Sequence, residues 1–132
     1  MRTLLKNAYI VTMDTNKGVY THGSLVVNGD RIEGVYSGMA PIAEYDEVID
    51  CDGKIVMPGF VNTHVHTSQQ LGRGLGDDVN LLTWLHERIW PYESSMTEED
   101  SYISTLLCCV EQIKAGCTMF AEPGGQFVSG MA

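Results

Sequence analysis

Long hydrophobic runs are absent from this chain. No apolar stretch approaches the ~20 residues that a spanning helix needs, so no membrane partner is expected. Basic residues are scarce: 8 Lys and Arg stand against 17 Asp and Glu, a formal net charge of -9. Nothing forms the positive footprint that nucleic-acid phosphates require, although a nucleobase or nucleoside remains open as a small ligand. Met1 to Ala8 carries Arg2 and Lys6 but no apolar core, so no signal peptide is read. The four cysteines are Cys51, Cys108, Cys109 and Cys117. Two of them are adjacent on a predicted helix, which suits a core better than a bridge, and reduced thiols in a cytoplasmic protein are expected. With 14 Gly and 4 Pro the chain is neither collagen-like nor a linker. Its 132 residues, 44% apolar and 19% charged, have the size and composition of one folded domain.

The first half reads as antiparallel sheet. Leu4 to Met13 is rich in apolar and β-branched residues and predicts a strand. Ser24 to Tyr36 holds Asn28-Gly29 between apolar runs, the signature of a tight hairpin whose central positions want positive φ. Glu47 to Asp50 and Lys54 to Met57 flank a second turn signal, Asp52-Gly53. No glycine-rich run opens a helix, so no phosphate cradle is implied.

At Pro58-Gly59 the texture changes. Phe60-Val61-Asn62-Thr63-His64-Val65-His66 comes next. On a strand, residues two apart point to the same side, roughly 6.6 Å apart along the chain. Imidazoles so placed can share one ion at Zn–N distances of roughly 2.1 Å. On a helix they would diverge, so metal binding by His64 and His66 requires extended chain here. A pair of histidines also occurs by chance; the apolar lead-in and the polar, glycine-punctuated loop Thr67 to Asn80 are what favour a site.

Leu81 to Trp90 predicts a helix, with Asn80 or Asp78 as cap and Pro91 ending it or starting the next. Trp84 reads either as a core or lid residue or as a flat wall over a ligand. A firmer helix begins after Thr97, with Glu98, Glu99 and Asp100 in its first turn. Ile103, Leu106, Leu107, Val110 and Ile113 mark its expected buried face, and Gly116 its stop. Cys117 to Ala121 predicts a buried strand. Strand, loop, helix and strand make a βαβ unit with parallel strands. His64, His66 and Glu122 then share the C-terminal strand edge, where α/β proteins keep their chemistry. Glu122 is either a further polar group of the site or a charged residue leaving the core.

A catalytic zinc normally takes three protein ligands, and this pair supplies two. His22 and His86 have no evident route to the same ion. One βαβ unit after a partial sheet also leaves edges and a face uncovered. The chain is therefore expected to be the front part of a longer protein; the alternative is a small domain that pairs with other chains.

The run from Pro58 to His66, with Asp50 to Met57 before it, resembles the first barrel strand of the amidohydrolase superfamily. Leu71-Gly72-Arg73-Gly74, then Trp84-Leu85, then Ile89-Trp90-Pro91-Tyr92-Glu93, and finally Gly116-Cys117-Thr118 come in the order seen in one branch. That branch holds the methylthioadenosine/S-adenosylhomocysteine deaminases and the triazine hydrolases (chlorohydrolases).

The resemblance implies an α/β chain with a β-sandwich part. Residues 1–57 would be the N-terminal share of a small composite β-sandwich. Residues 58–132 would begin a metal-dependent (β/α)8 barrel, incomplete here, with its first two strands and intervening helix. His64 and His66 would be two ligands of one divalent metal ion, zinc or, as the alternative, iron. The remaining ligands and the acid–base residues would lie beyond residue 132. Trp84 and Glu93 would bind substrate, Glu93 through ribose hydroxyls, and Glu122 would line the site. The activity implied is hydrolytic deamination of a purine nucleoside-like or related N-heterocycle by metal-activated hydroxide. The alternatives are a triazine or other heterocycle amido- or chlorohydrolase, or a non-catalytic truncated domain. The isolated chain is expected to be inactive and the full-length form a homo-oligomer.

Overall fold

The computed structural model describes residues 1–125 and Phe127. The chain divides into two compact units that meet in sequence at Pro58 and Gly59.

The first unit is a five-stranded sheet. Strands β1 (Arg2–Val11), β2 (Val19–Asn28), β3 (Arg31–Ser37) and β4 (Glu47–Asp50) take the order β3-β2-β1-β4, and β5 (Ile55–Val56) also pairs with β1. The β2–β3 hairpin closes with Asn28 opposite Arg31, so its central residues are Gly29 and Asp30. Gly29 has φ 62° and Asp30 lies outside the left-handed region. Only one central position, the first, needs positive φ, the demand of a II′ turn rather than the double demand expected from Asn-Gly.

The expectation of a wholly antiparallel sheet fails on the other side of β1. Both β4 and β5 run parallel to it, β4 beside Thr3 to Lys6 and β5 beside Tyr9 and Ile10. They do not form a hairpin about Asp52-Gly53. They are two stretches of one strand direction, interrupted where Asn7 adopts φ 60° and donates from Nδ2 to Asp50 Oδ1 at 3.0 Å. The backbone bonds Cys51 N–H to Lys6 O and Tyr9 N–H to Lys54 O carry the pairing across the break. Asp52-Gly53 does form a turn, closed by Lys54 N–H on Cys51 O at 2.9 Å, but it joins two stretches that run the same way rather than the arms of a hairpin. Ala8, Ile10, Leu25 and Cys51 form the buried core of this unit.

The second unit is a βαβ arrangement. Strands β6 (Phe60–Asn62) and β7 (Cys117–Phe120) are parallel, as the sequence predicts. Between them lie a 3-10 helix (Thr67–Gly72), a helical segment from Leu81 to Ser95, and α3 (Glu98–Lys114). The middle segment runs as α1 (Leu81–Thr83), a π-helical turn (Trp84–Ile89) and α2 (Trp90–Ser95). Asn80 caps α1, its Oδ1 accepting the N–H groups of Leu82 and Thr83, both at 3.1 Å. Pro91 starts the next element, as the second reading of the sequence has it: it stands in the first turn of α2, directly after the π-helical turn. Its ring would crowd the carbonyl four residues back, and the widened turn, with Trp90 N–H bonded to Leu85 O, absorbs that conflict.

Helix α3 starts where the sequence places it. Thr97 Oγ1 accepts the Asp100 N–H at 3.2 Å, and Asp100 Oδ2 accepts the Thr97 N–H at 2.9 Å, a full capping box. The Thr97 hydroxyl and N–H hold the Asp100 carboxyl below the usual carboxylate range. The box is therefore intact at neutral pH and weakens only as pH falls through that lowered value. Gly116, at φ 83°, ends the helix.

The expected buried face of α3 is not the one that packs. Ile103, Leu106, Leu107, Val110 and Ile113 are all exposed. Ser101, Ser104, Thr105 and Cys108 are buried instead, on the side facing the 3-10 helix. Small residues let the two backbones approach, and their hydroxyls satisfy the irregular chain opposite. Ser104 Oγ donates to Ser68 O at 2.8 Å and Thr105 Oγ1 bonds Thr67 Oγ1 at 3.2 Å. Strand β7 is likewise more open than predicted, with Met119 65% exposed. Among the described residues no helix is long and apolar enough to cross a membrane, and Cys51, Cys108, Cys109 and Cys117 are all free thiols.

Candidate active site

The geometry of β6 and β7 decides what meets at their C-terminal ends. Parallel pairing continues past both strands: Ala121 N–H reaches Asn62 O at 2.8 Å and Val65 N–H reaches Ala121 O at 3.1 Å. His64 and His66 come after the strand, past a bend at Thr63, rather than lying within it as expected, and His66 itself is extended. The side chain of Asn62 accepts the His64 N–H at 3.2 Å and shapes this exit. The two imidazoles stand edge to face with ring centres 5.0 Å apart.

Glu122, one residue past the Ala121 pairing, comes to the same place from β7. Its Oε2 accepts the backbone N–H of buried Thr67 at 2.6 Å, and its Oε1 faces His66 Nδ1 at 3.8 Å. The carboxylate is 12% exposed. It ties the loop after His66 to the end of β7 across 55 residues of sequence.

A cavity of about 440 Å³ opens in front of the histidines. Gln69, Arg73, Gly76 and Trp84 wall it together with His64 and His66. Trp84 is held close by Gly76, where an added Cβ would lie 2.2 Å from the indole Cδ1 and 2.4 Å from Nε1. Gly76→Ala is therefore expected to destabilise by ~1–3 kcal/mol through overpacking against a rigid ring. Denaturant midpoints of the single variant and of Gly76→Ala/Trp84→Ala check this, the second recovering most of the loss.

Glu93 does not line this cavity. It faces a smaller recess with Ser68, Met96 and Ser101, and reaches the cavity wall through Gln69, whose Nε2 donates to Glu93 Oε1 at 2.8 Å. Arg73 is engaged by Glu111 at 2.6 Å and by Gln70 at 3.0 Å, which fixes its guanidinium to α3. His86 packs edge to face on Trp90, with ring centres 4.5 Å apart. Gln69, Gly76 and Thr67 are the residues that sequence patterns do not single out: each matters through contacts outside its own segment, with Glu93, with Trp84, and with Glu122 and Thr105.

Among the described residues, no set of three or more His, Cys, Asp or Glu side chains is arranged to hold a metal ion. The histidine pair itself fits one. Two imidazoles sharing a tetrahedral ion at Zn–N near 2.1 Å put their ring centres roughly 5 Å apart. A carboxylate behind the ring is the usual outer partner of a ligating histidine.

Residues 55–132 match the model of the amidohydrolase family. The chain belongs to the amidohydrolase family. This amidohydrolase chain is 43% identical over 119 residues to a 5'-deoxyadenosine deaminase of Methanosarcina mazei, covering 90% of the chain and 27% of that protein. It is 47% identical over 123 residues to a 5-methylthioadenosine/S-adenosylhomocysteine deaminase of Bacillus cereus, covering 92% and 28%. Among solved structures it resembles an adenosine deaminase of Xanthomonas campestris with bound zinc, at 26% identity and TM-score 0.80, over 92% of the chain and 28% of that protein. It also shares the fold of a triazine hydrolase of Arthrobacter aurescens, at 19% identity and TM-score 0.81, with the same coverage. The chain thus spans little more than a quarter of the proteins it matches.

Proposed function

We propose that the whole protein is a metal-dependent hydrolase of C–N bonds that deaminates a purine nucleoside-like or related N-heterocyclic substrate. The observation that carries this reading is the histidine pair, edge to face at 5.0 Å beside a cavity walled by Trp84. The deaminases it resembles at 43% and 47% identity support the substrate class. In this reading residues 1–57 are the N-terminal share of a small β-sandwich, and residues 58–132 begin a (β/α)8 barrel. Such a barrel takes ~250 residues when whole and keeps its site at the C-terminal strand ends.

His64 and His66 would hold a divalent ion, zinc by the precedent of the zinc-bound relative, with iron as the alternative. A divalent ion there supplies Lewis acidity and lowers the pKa of water toward ~7. The chain's own residues do the rest of what this part of the site requires. Glu122 pins the loop that leaves His66 and fixes where that ring stands. Trp84 offers an apolar wall against which a flat heterocycle packs and loses water. The resemblance gives Glu93 the substrate's hydroxyls; its carboxylate faces the neighbouring recess and holds Gln69, through which it would bear on the cavity. Among the described residues no set of three metal-holding side chains stands at the pair, so the isolated chain is expected to release no ammonia.

The test is ammonia release by the full-length, zinc-loaded protein from 5′-deoxyadenosine, 5′-methylthioadenosine, S-adenosylhomocysteine and an aminotriazine. Turnover of at least one nucleoside supports the reading. Turnover of the triazine alone replaces the nucleoside-like substrate with the triazine alternative, and turnover of none of the four overturns the reading.

A further inference from the structure

Thr67 follows His66 directly, opens the 3-10 helix and is 1% exposed. Three residues from other elements converge on it. Its N–H donates to Glu122 Oε2 at 2.6 Å, just past β7. Its Oγ1 bonds Thr105 Oγ1 at 3.2 Å, and its carbonyl oxygen lies 3.4 Å from Ser104 Oγ, both on α3. Ser104 Oγ itself donates to Ser68 O at 2.8 Å and accepts the Leu71 N–H at 3.3 Å, so α3 grips the turn that follows His66 near both its ends.

The carboxylate that takes the Thr67 N–H turns its other oxygen toward His66. Glu122 Oε1 stands 3.8 Å from His66 Nδ1 and accepts the Gly124 N–H at 3.2 Å. Both oxygens are committed, so where Thr67 sits decides where the carboxylate stands behind the ring. Neither Thr67 nor Thr105 lines the cavity, so their hydroxyls are not there to meet a ligand. A methyl contact would tolerate sliding between α3 and the turn. A buried hydroxyl pair fixes rotamer and distance, because losing the bond strands an oxygen away from water.

We propose that Thr105 is a positioning residue for His66: it fixes the Thr67 hydroxyl, and with it the Thr67 backbone and the Glu122 carboxylate behind the His66 ring. This rests on the metal-dependent hydrolase reading, in which His66 holds the ion. An imidazole already held at one angle loses less freedom when an ion arrives, so the effect shows in zinc affinity.

The experiment uses full-length protein. Zinc affinity is measured by competition with a chromophoric chelator, and the denaturant midpoint of the metal-free form by circular dichroism, for wild type, Thr105→Val, Thr67→Val and Thr105→Ser. Valine keeps the shape and removes the hydroxyl. Thr105→Val is expected to raise the zinc Kd about tenfold, the lower end of what outer partners of a metal ligand contribute. Thr67→Val removes the same bond from the other side, keeps the backbone N–H, and is expected to match it. Thr105→Ser keeps a hydroxyl and is expected to recover most of the affinity. Because the path runs through the Glu122 carboxylate, Thr105→Val should cost less than about threefold in a Glu122→Gln background, a non-additive cycle. A role in stability alone would lower the denaturant midpoint and leave the zinc Kd unchanged, and that result overturns the proposal. So does a loss that adds in full to that of Glu122→Gln, a loss that Thr105→Ser shares in full, or failure of both valine variants to fold. Wild-type protein that binds zinc and shows the expected pattern but releases no ammonia overturns the deaminase reading and keeps the role of Thr105. Wild-type protein that binds no zinc overturns both.

Discussion

Replacing His66 with asparagine in the full-length protein is expected to abolish metal retention and to lower kcat/KM for deamination by at least ~10³-fold. The size comes from what the ring does in the proposed site. Metal-assisted activation of water supplies several kcal/mol of transition-state stabilisation, and each 1.4 kcal/mol is about a factor of ten. His66 is the better supported of the two rings. It is backed by Glu122 at 3.8 Å, whereas His64 meets Asn62 through its backbone N–H and His66 through its ring. Asparagine keeps a polar side chain but removes the imidazole, so loss of folding is not the expected cause. Circular dichroism of the variant should match wild type. Glu122→Gln gives the graded control: it keeps an acceptor for the Thr67 N–H and removes the charge behind the ring. Outer partners of this kind are worth ~10–100-fold in metal affinity, so its loss should be smaller than that of His66→Asn. Metal analysis and steady-state kinetics on the same samples check both. A His66→Asn protein with full metal content and near-normal turnover would show that the pair is not the metal site.

The largest effect on stability is expected at Gly59, immediately before β6. A Cβ there would lie 2.2 Å from Thr118 Cγ2, 2.3 Å from its Oγ1 and 2.8 Å from its Cβ. None of these is the far end of a flexible side chain. Threonine is stiff at χ1, and Thr118 sits in β7, paired to β6. Gly59→Ala can be accommodated only by moving one strand against the other. The expected cost is ~3 kcal/mol, at the upper end for overpacking. Because β6 is three residues long and delivers both histidines, the same displacement should loosen the metal site. Thr118→Gly removes every clashing atom, so the double variant should regain most of the loss, a coupling readable in a double-mutant cycle of denaturant midpoints. Additive losses would show that the two residues do not meet.

The features legible in sequence were those with a local cause. Asn28-Gly29 forces a turn, Thr97 and Asp100 satisfy each other's backbone, and Asn80 caps the helical segment after it. The parallel pairing of β6 and β7 was also legible, because a helix between two apolar runs leaves few other connections. That pairing brings His64, His66 and Glu122 together. The features that stayed hidden depend on partners far along the chain. The direction of β4 and β5 is set by β1, whose Thr3 pairs with Glu47 and whose Tyr9 pairs with Ile55, and Asp52-Gly53 reads the same in a hairpin as in a turn between two parallel stretches. The packed side of α3 runs against its apolar stripe, because hydroxyls on Ser104 and Thr105 answer backbone and side-chain groups of the 3-10 helix. Gln69 carries no periodic or motif signal. Only its contact with Glu93, 24 residues on, separates it from its neighbour Gln70.

The most direct test of a metal-dependent hydrolase is to strip the full-length protein with a chelator, confirm the loss by metal analysis, and titrate zinc back while monitoring ammonia release from 5′-methylthioadenosine. Activity is predicted to disappear with the metal and to return in proportion to added zinc, saturating near one ion per chain. Undiminished ammonia release by protein verified to be metal-free would contradict a metal-dependent mechanism.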